Sequence, residues 1–133
     1  RRFTAEKPTK VATLCTGYAD GYPRLLSCGK GVVEIHGKAC PVLGRVCMDQ
    51  FIVDLHGSAA ELGVHEGDTV ELFGPGRGED YVEPTADDWA RAADTISYEI
   101  FTCLRNRIPR LYEHAAEVLP AADLAKLDPA TLL

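Results

Sequence analysis

The sequence predicts a mainly β domain, a small Greek-key-like β-barrel with one or two short helices. Over roughly the first 80 residues, short β-branched runs are separated by glycine-containing turns, a spacing typical of small barrels. After Pro84 the apolar residues change to helical spacing. A chain of 133 residues suits one domain with a single modest core.

Three extended segments come first along the chain. Residues 10–15 form a β-branched run that predicts a strand. Residues 31–35 and 39–43 flank the sequence His36-Gly37-Lys38, which is a hairpin signal because glycine suits a tight loop. The sequence therefore predicts one strand followed by a β-hairpin.

A long strand is predicted over residues 45–55. Its polar and apolar residues do not alternate cleanly, which indicates a bulge or a change of exposed face near Asp49 and Gln50. Residues 67–73 alternate and end at Gly74, so they predict another strand. Several short strands at this spacing favour a closed or nearly closed barrel.

The helical part follows Pro84. Thr85 is a suitable N-cap, and Asp87 and Asp88 place negative charge in the first turn of a short amphipathic helix. A second helix is predicted over residues 97–103, ending ahead of a proline because the residue before proline avoids the α region.

The chain divides into a domain and a tail. Residues 110–113 could return as a last strand, so the β-domain is expected to span residues 1–114. The tail, residues 115–133, is rich in Ala and Leu but contains two prolines. A docked helix and a looser segment therefore both stay open.

The composition excludes several classes of partner. The formal net charge is −6, whereas nucleic acids and anionic membrane surfaces require clustered Lys and Arg. No apolar stretch approaches the roughly 20 residues that span a bilayer. The first residues lack the apolar core of a signal peptide. We therefore expect a cytoplasmic protein that binds neither nucleic acid nor membrane.

The five cysteines are widely spaced and include no Cys-x-x-Cys pair. An odd number argues against a secreted disulfide framework, and a metal site would require close pairs with a histidine nearby. We expect mostly buried or half-buried thiols in a reducing cytoplasm, and no metal site.

Three segments carry groups suited to binding. Residues 17–24 follow a predicted strand and hold phenol and guanidinium groups on a sharply turned loop, although a purely structural turn is the alternative. Residues 44–50 contain Cys47 and Met48, yet no histidine lies nearby, so a copper site is disfavoured. A change of strand face there could instead expose backbone N–H groups that bind a carboxylate.

The third segment, residues 95–99, lies at the start of the second predicted helix. N-terminal amides together with a Ser or Tyr hydroxyl form a site suited to phosphate. An ordinary helix cap with a core tyrosine is the alternative.

In this order, the three segments resemble the C-terminal signature of alanine racemases. The signature closes on Arg107-Ile108-Pro109-Arg110, and the resemblance spans roughly residues 3–112. Each segment alone is moderately specific, whereas the ordered set is strong. The resemblance implies a homodimeric, pyridoxal-phosphate-dependent isomerase that interconverts L- and D-alanine and supplies D-alanine to peptidoglycan precursors.

The resemblance also implies an architecture. In the family, an N-terminal (β/α)₈ barrel carries the Schiff-base lysine, and a mostly β C-terminal domain follows. Each active site combines the barrel of one subunit with the C-terminal domain of the other. The cofactor withdraws electrons from the substrate Cα, and a lysine and a tyrosine exchange the proton on opposite faces.

Two residues acquire direct binding roles from the resemblance. Met48 would present its backbone N–H to the substrate carboxylate, in agreement with the exposed amides expected in that segment. Tyr98 would hydrogen-bond the cofactor phosphate, in agreement with the phosphate site expected at the helix start.

Five further residues would shape the path of the substrate. Tyr18 would line the inner narrowing of the channel. Arg24, Arg45 and Ile96 would form the next layer, where guanidinium charge attracts a small zwitterionic or anionic amino acid. Asp49 is expected to orient this layer by pairing with one of these two arginines.

The family's catalytic tyrosine precedes the position matching Phe3, so we expect it upstream of Arg1. Tyr18 is a different tyrosine. No lysine matches the Schiff-base position among the five of the chain, which are Lys7, Lys10, Lys30, Lys38 and Lys126. We therefore expect no catalytic residue in this chain and no racemase activity from it alone.

Other functions stay open at this stage. The leading hypothesis is a racemase domain or fragment whose exposed surface would drive self-association. The alternative is a freestanding β-barrel binding module without racemase activity. A related racemase acting on serine or another small amino acid is a third, because side-chain selectivity depends partly on barrel residues.

Overall fold

A computed structural model of the chain describes residues 3–55, 63–74, 84–112 and 121–126. Within these ranges the strands are β1 (Val11–Leu14), β2 (Val32–Ile35), β3 (Lys38–Leu43) and β4 (Phe51–Asp54). The helices are a 3₁₀ turn (Arg24–Leu26), α1 (Ala86–Ala93), α2 (Ser97–Thr102) and α3 (Ala121–Leu124).

The strands form one antiparallel sheet in the order β1-β4-β3-β2. The consecutive strands β2, β3 and β4 are neighbours, and β1 lies beside β4, which is the strand order of a Greek key. The prediction of a mainly β, Greek-key-like domain with short helices is confirmed. Within the described residues the sheet is not closed into a barrel.

The β2–β3 hairpin is confirmed at the predicted place. Ile35 pairs with Lys38 across a two-residue turn made by His36 and Gly37. Both turn residues have positive φ, 50° and 76°, as a type I′ turn requires. Glycine suits the second position because it has no Cβ to strain this backbone conformation.

The long strand predicted over residues 45–55 is wrong in its first half. The strand β4 begins at Phe51, and a loop over residues 44–50 precedes it. Gly44 leaves β3 with φ of 66°, and the Cys47 amide bonds the Gln50 carbonyl at 3.0 Å. This turn is the local change that the irregular polar pattern near Asp49 indicated.

Two other predicted strands are not formed in the described residues. In residues 67–73 only Glu71 forms an isolated antiparallel bridge, with Glu34. The Asp68 amide is bonded instead to the His65 carbonyl in a turn, at 3.2 Å. Residues 110–112 also form no strand, although Tyr112 makes a single bridge, and Glu113 lies outside the described residues.

The predicted N-terminal cap of α1 is confirmed as a capping box. The Asp88 amide donates to Thr85 Oγ1 at 3.2 Å, and the Thr85 amide donates to Asp88 Oδ2 at 2.9 Å. The hydrogen bond from the Thr85 amide, and then the one that Thr85 Oγ1 donates to the same carboxylate oxygen at 2.8 Å, lower the pKa of the Asp88 carboxyl. The second predicted helix is confirmed as α2.

An aromatic cluster holds the helices against the sheet. The ring of Tyr22 lies 4.3 Å from that of Phe51 and 4.6 Å from that of Trp89, and Trp89 lies 4.6 Å from Phe73. The core also contains Leu14, Leu26, Val33, Ile35, Cys40, Val42, Val46, Val53, Leu55 and Ile100. Burial raises the pKa of the Tyr22 phenol, so this tyrosine stays neutral and structural.

The helix α3 lies in the tail, whereas the predicted boundary at residue 114 and the rest of the tail lie outside the described residues. The division of the chain stays a prediction. All five cysteines are free thiols, and the expectation that most are buried or half-buried is wrong. Cys40 is buried and Cys103 half-buried, whereas Cys15, Cys28 and Cys47 are exposed because they lie at strand ends and in loops.

Candidate functional site

Residues 17–24, here called the 17–24 loop, are closed by the carboxylate of Asp20. Asp20 Oδ2 accepts hydrogen bonds from the Gly17 amide at 2.9 Å and from Thr16 Oγ1 at 3.3 Å. Only 8% of Asp20 is exposed, so its charge is held inside the turn. The Tyr22 amide closes the turn by donating to the Gly17 carbonyl at 3.2 Å.

The second segment, residues 44–50 (the 44–50 loop), docks on the first through its backbone. The Tyr18 amide donates to the Cys47 carbonyl at 3.1 Å, and the Ala19 amide to the Met48 carbonyl at 3.0 Å. A Cβ at Gly17 would lie 2.3 Å from the Cys47 oxygen, a distance that real Cβ atoms do not adopt. The absence of a side chain at residue 17 therefore allows the two loops to meet.

The segment that follows α2 also docks on the 17–24 loop. The Arg105 amide donates to the Asp20 carbonyl at 3.1 Å. Gly21 has φ of 115°, and a Cβ there would lie 2.5 Å from the Cys103 carbonyl oxygen. Two glycines thus let the 17–24 loop lie between two other parts of the chain.

Arg107 connects these parts by ion pairs. Its Nε lies 2.6 Å from Asp20 Oδ1, and its Nη2 lies 2.6 Å from Asp49 Oδ1. The hydrogen bond with Asp49, and then the negative charge of Asp20, raise the pKa of the guanidinium. Arg107 is therefore charged at any physiological pH.

The expectation that Asp49 pairs with Arg24 or Arg45 is wrong. The ion pair of Asp49 in the described residues is with Arg107, because docking of Arg105 on Asp20 brings the neighbouring guanidinium between two carboxylates. The sequence did signal Arg107, as the start of the closing motif, but gave no role to a residue 58 positions from Asp49.

Met48 lies at the exposed edge of the 44–50 loop. Its side chain is 51% exposed, and its carbonyl is occupied by the Ala19 amide. Within the described residues its own amide donates no hydrogen bond. The loop therefore presents a free backbone donor at the position where the sequence analysis places one.

Tyr18 and Arg24 line a cleft of about 270 Å³ between the 17–24 loop and α2. Its other polar lining residues include Thr95, Glu99 and Arg105. Thr95 Oγ1 donates to the Glu99 carboxylate across the start of α2. The cleft therefore joins residues of the first and third predicted segments.

The remaining predicted site residues are exposed. Arg45 lies on the 44–50 loop, and Ile96 and Tyr98 lie at the start of α2, where 77% of Tyr98 is accessible. In the described part of the chain, no hydrogen bond or ion pair of their side chains joins them to Met48 or Tyr18. Their binding roles stay predictions.

In residues 3–55, 63–74, 84–112 and 121–126, no three His, Cys, Asp or Glu side chains come together as a metal-binding group. None of the helices described has the length and apolar character needed to cross a bilayer.

The comparison with known families identifies the domain. The family "Alanine racemase, C-terminal domain" matches residues 1–112. The alanine racemase of Mycobacterium tuberculosis (strain ATCC 25618 / H37Rv) is 51% identical over 114 residues, which are 85% of this chain and 28% of that protein. That of Mycobacterium leprae (strain TN) is 50% identical over 117 residues, 87% of this chain and 28% of that protein.

Solved structures agree with this match. Alanine racemase from Streptomyces coelicolor A3(2) has a TM-score of 0.64 at 46% identity, over 78% of this chain and 25% of that chain. Alanine racemase from Bartonella henselae with covalently bound pyridoxal phosphate has a TM-score of 0.65 at 37% identity, over 81% of this chain and 28% of that chain.

This chain thus spans only about a quarter of the length of the racemases that it matches. The matches favour the racemase interpretation over a freestanding binding module, because every relative described is a racemase. The fold, the ordered segments and the family match lead to one assignment: the chain belongs to the alanine racemase family and carries its C-terminal domain.

Proposed function

We propose that this chain is the C-terminal domain of a pyridoxal-phosphate-dependent alanine racemase and supplies substrate-binding and channel residues to a site shared across a homodimer. The observation that carries the proposal is the docking of the 44–50 loop on the 17–24 loop. This docking leaves the Met48 amide free of any partner in the described residues. We expect neither base of the family in this chain, so its proposed contribution is binding and orientation.

The Met48 amide would hold the carboxylate of the amino acid. The carbonyls of Cys47 and Met48, which would repel an anion, already accept hydrogen bonds from the Tyr18 and Ala19 amides. The loop therefore offers a donor while its nearest acceptors are occupied. A hydrogen bond from an amide to a carboxylate is among the stronger ones in proteins because the acceptor is charged.

The cleft lined by Tyr18 and Arg24 would form part of the substrate path. Its volume of about 270 Å³ lies below the ~300–1,000 Å³ typical of pockets for drug-sized ligands, so it suits a small molecule. Arg24, Arg45 and Ile96 would form the outer layer, in which the guanidinium groups attract the substrate carboxylate. Asp49, which pairs with Arg107 rather than with Arg24 or Arg45, would instead contribute by holding the 44–50 loop.

Tyr98 would bind the cofactor phosphate. Tyr98 is largely exposed and its phenol has no hydrogen-bond partner among the described residues, and a hydroxyl can donate to a phosphate oxygen. The fit depends on this hydroxyl, because α2 has only six residues and carries the acidic Glu99 in its first turn. When bound, the pyridoxal ring supplies an electron sink for negative charge at the substrate Cα.

A barrel domain and a second subunit would cover the surface around the site. The large apolar or aromatic side chains exposed there are Tyr18, Leu25, Met48, Ile96, Tyr98 and Phe101. Exposed apolar and aromatic side chains of this size are those that an interaction surface would use. The exposed free thiols of Cys15, Cys28 and Cys47 suit a reducing cytoplasm, in which we place the protein.

The test uses the racemase that contains this domain and the 133-residue chain by itself. We expect the racemase to interconvert L- and D-alanine only with pyridoxal phosphate, and faster than L- and D-serine. The isolated chain with added cofactor should not exceed the background of the cofactor alone. A full-length protein without turnover would refute the proposed activity, and turnover by the isolated chain would refute the shared site.

A further inference from the structure

The guanidinium of Arg107 forms the side-chain link between the two loops of the site. One edge of the group, its Nε and Nη2, reaches Asp20 and Asp49 at 2.6 Å each. Asp20 is nearly buried and fixed in its own turn, whereas Asp49 is half exposed and follows Met48 directly. A planar group with two donors on one edge fixes the separation of two carboxylates, which a lysine cannot do.

We propose that Arg107 is a positioning residue for substrate binding, which tethers Asp49 to Asp20 and so fixes the direction of the Met48 amide. This inference rests on the proposed function. The carbonyls before and at Met48 are held by the Tyr18 and Ala19 amides, and the Cys47 amide closes the turn on the Gln50 carbonyl. Asp49, which follows Met48, adds a side-chain link from this turn to Asp20 through Arg107. Without the tether, the turn that presents the amide would be held by these backbone hydrogen bonds alone.

The tether also sets the charge beside the carboxylate site. Asp20, Asp49 and Arg107 together carry one net negative charge. Loss of Arg107 would leave two negative charges, which would repel a substrate carboxylate. Loss of Asp49 would leave Asp20 and Arg107, which together are neutral. If the tether matters, both losses raise the KM for alanine. If only charge matters, loss of Arg107 raises this KM and loss of Asp49 lowers it.

The experiment compares four variants of the full-length racemase. Arg107→Met should raise the KM for alanine about tenfold and change kcat less than threefold, because ground-state and transition-state binding both weaken. Asp49→Ala should raise KM about threefold to fivefold, the range of a partly exposed ion pair, despite its favourable charge. Arg107→Lys should give an intermediate KM because lysine restores the positive charge but not the two donors on one edge of a planar group.

The matched control is Arg91→Met. Arg91 forms an exposed ion pair with Asp88 at 2.8 Å on α1 and touches none of the site residues described above. The KM and kcat of the Arg91→Met enzyme should equal those of the unmodified enzyme.

Hydrogen exchange gives a second readout that does not depend on activity. The Tyr18 and Ala19 amides donate to the 44–50 loop, so their exchange reports how often the loop separates. Exchange at these amides should become severalfold faster in Arg107→Met and in Asp49→Ala but not in Arg91→Met. If Arg107→Met does not fold, Asp49→Ala decides, because its side chain is half exposed and its loss leaves no buried group unpaired.

The two proposals fail in different ways. An Asp49→Ala enzyme with an unchanged or lower KM, or with unchanged exchange at Tyr18 and Ala19, would overturn the tether. If the unmodified enzyme does not racemise alanine, the proposed function fails, while the exchange measurement still decides whether Arg107 holds the loop.

Discussion

Substitution of Gly17 by alanine is the sharpest perturbation of the loop contact. The new Cβ would lie 2.3 Å and 2.4 Å from the carbonyl oxygens of Cys47 and Met48, which are backbone atoms and cannot rotate away. The loops must therefore separate and lose the hydrogen bonds from Tyr18 and Ala19. Two such bonds contribute about 1–3 kcal/mol, and overpacking costs about as much again, so the free energy of unfolding should fall by about 2–6 kcal/mol.

The matched control is Gly37→Ala in the β2–β3 turn. Gly37 has φ of 76° but open space around its Cβ position. Alanine there should therefore lower the free energy of unfolding only through the strain of the left-handed backbone, by about 1–2 kcal/mol. Urea unfolding of the 133-residue chain measures both losses. In the full-length enzyme, Gly17→Ala should also raise the KM for alanine severalfold, and Gly37→Ala should not.

Equal destabilisation by the two substitutions, together with an unchanged KM in Gly17→Ala, would refute the reasoning. It would mean that the 44–50 loop tolerates a shift of its backbone without consequence for binding. A large stability loss with an unchanged KM would confirm the contact but remove its functional importance.

Three further predictions concern other parts of the chain. Asp88→Asn should cost about 1 kcal/mol at pH 7 by weakening the α1 cap. Because the folded-state pKa of Asp88 is lowered, this cost should persist above the unfolded value of about 4 and shrink in urea unfolding at lower pH. Tyr98→Phe should weaken cofactor binding about tenfold in a titration, and unchanged affinity would refute its phosphate role. The isolated chain should self-associate with concentration, and a sedimenting monomer at high concentration would contradict this.

Local signals in the sequence were sufficient for elements that depend on neighbouring residues. The His36-Gly37 turn and the Thr85 cap are set by residues at most three positions apart, and both were predicted correctly. Residues 45–50 show the limit of such signals. Their apolar character suggested a strand, but their backbone carbonyls bond the 17–24 loop, a distant partner that no local pattern reveals.

The sequence pointed to segments that lie together in the fold, but not to the connections between them. Residues 17–24 and 44–50 do meet, and Tyr18 and Arg24 do share a cleft with the start of α2. The partner of Asp49 was wrong, because Arg107 becomes its neighbour only after Arg105 docks on Asp20. An ion pair over 58 residues depends on the packing of a whole domain rather than on any spacing.

When the group that binds a ligand is a backbone amide, the site depends on the residues that orient the backbone. Every residue except proline carries an amide, so the side chain of Met48 is not what would bind the carboxylate. In the proposal made above, the direction of that amide would be set instead by Gly17, Asp49 and Arg107, which act on the loop rather than on the substrate. We therefore expect Met48→Leu to keep the KM for alanine within about twofold, because it retains the amide at similar side-chain volume, whereas Gly17→Ala and Arg107→Met raise it. The opposite order would mean that the methionine side chain, rather than the loop geometry, binds the substrate.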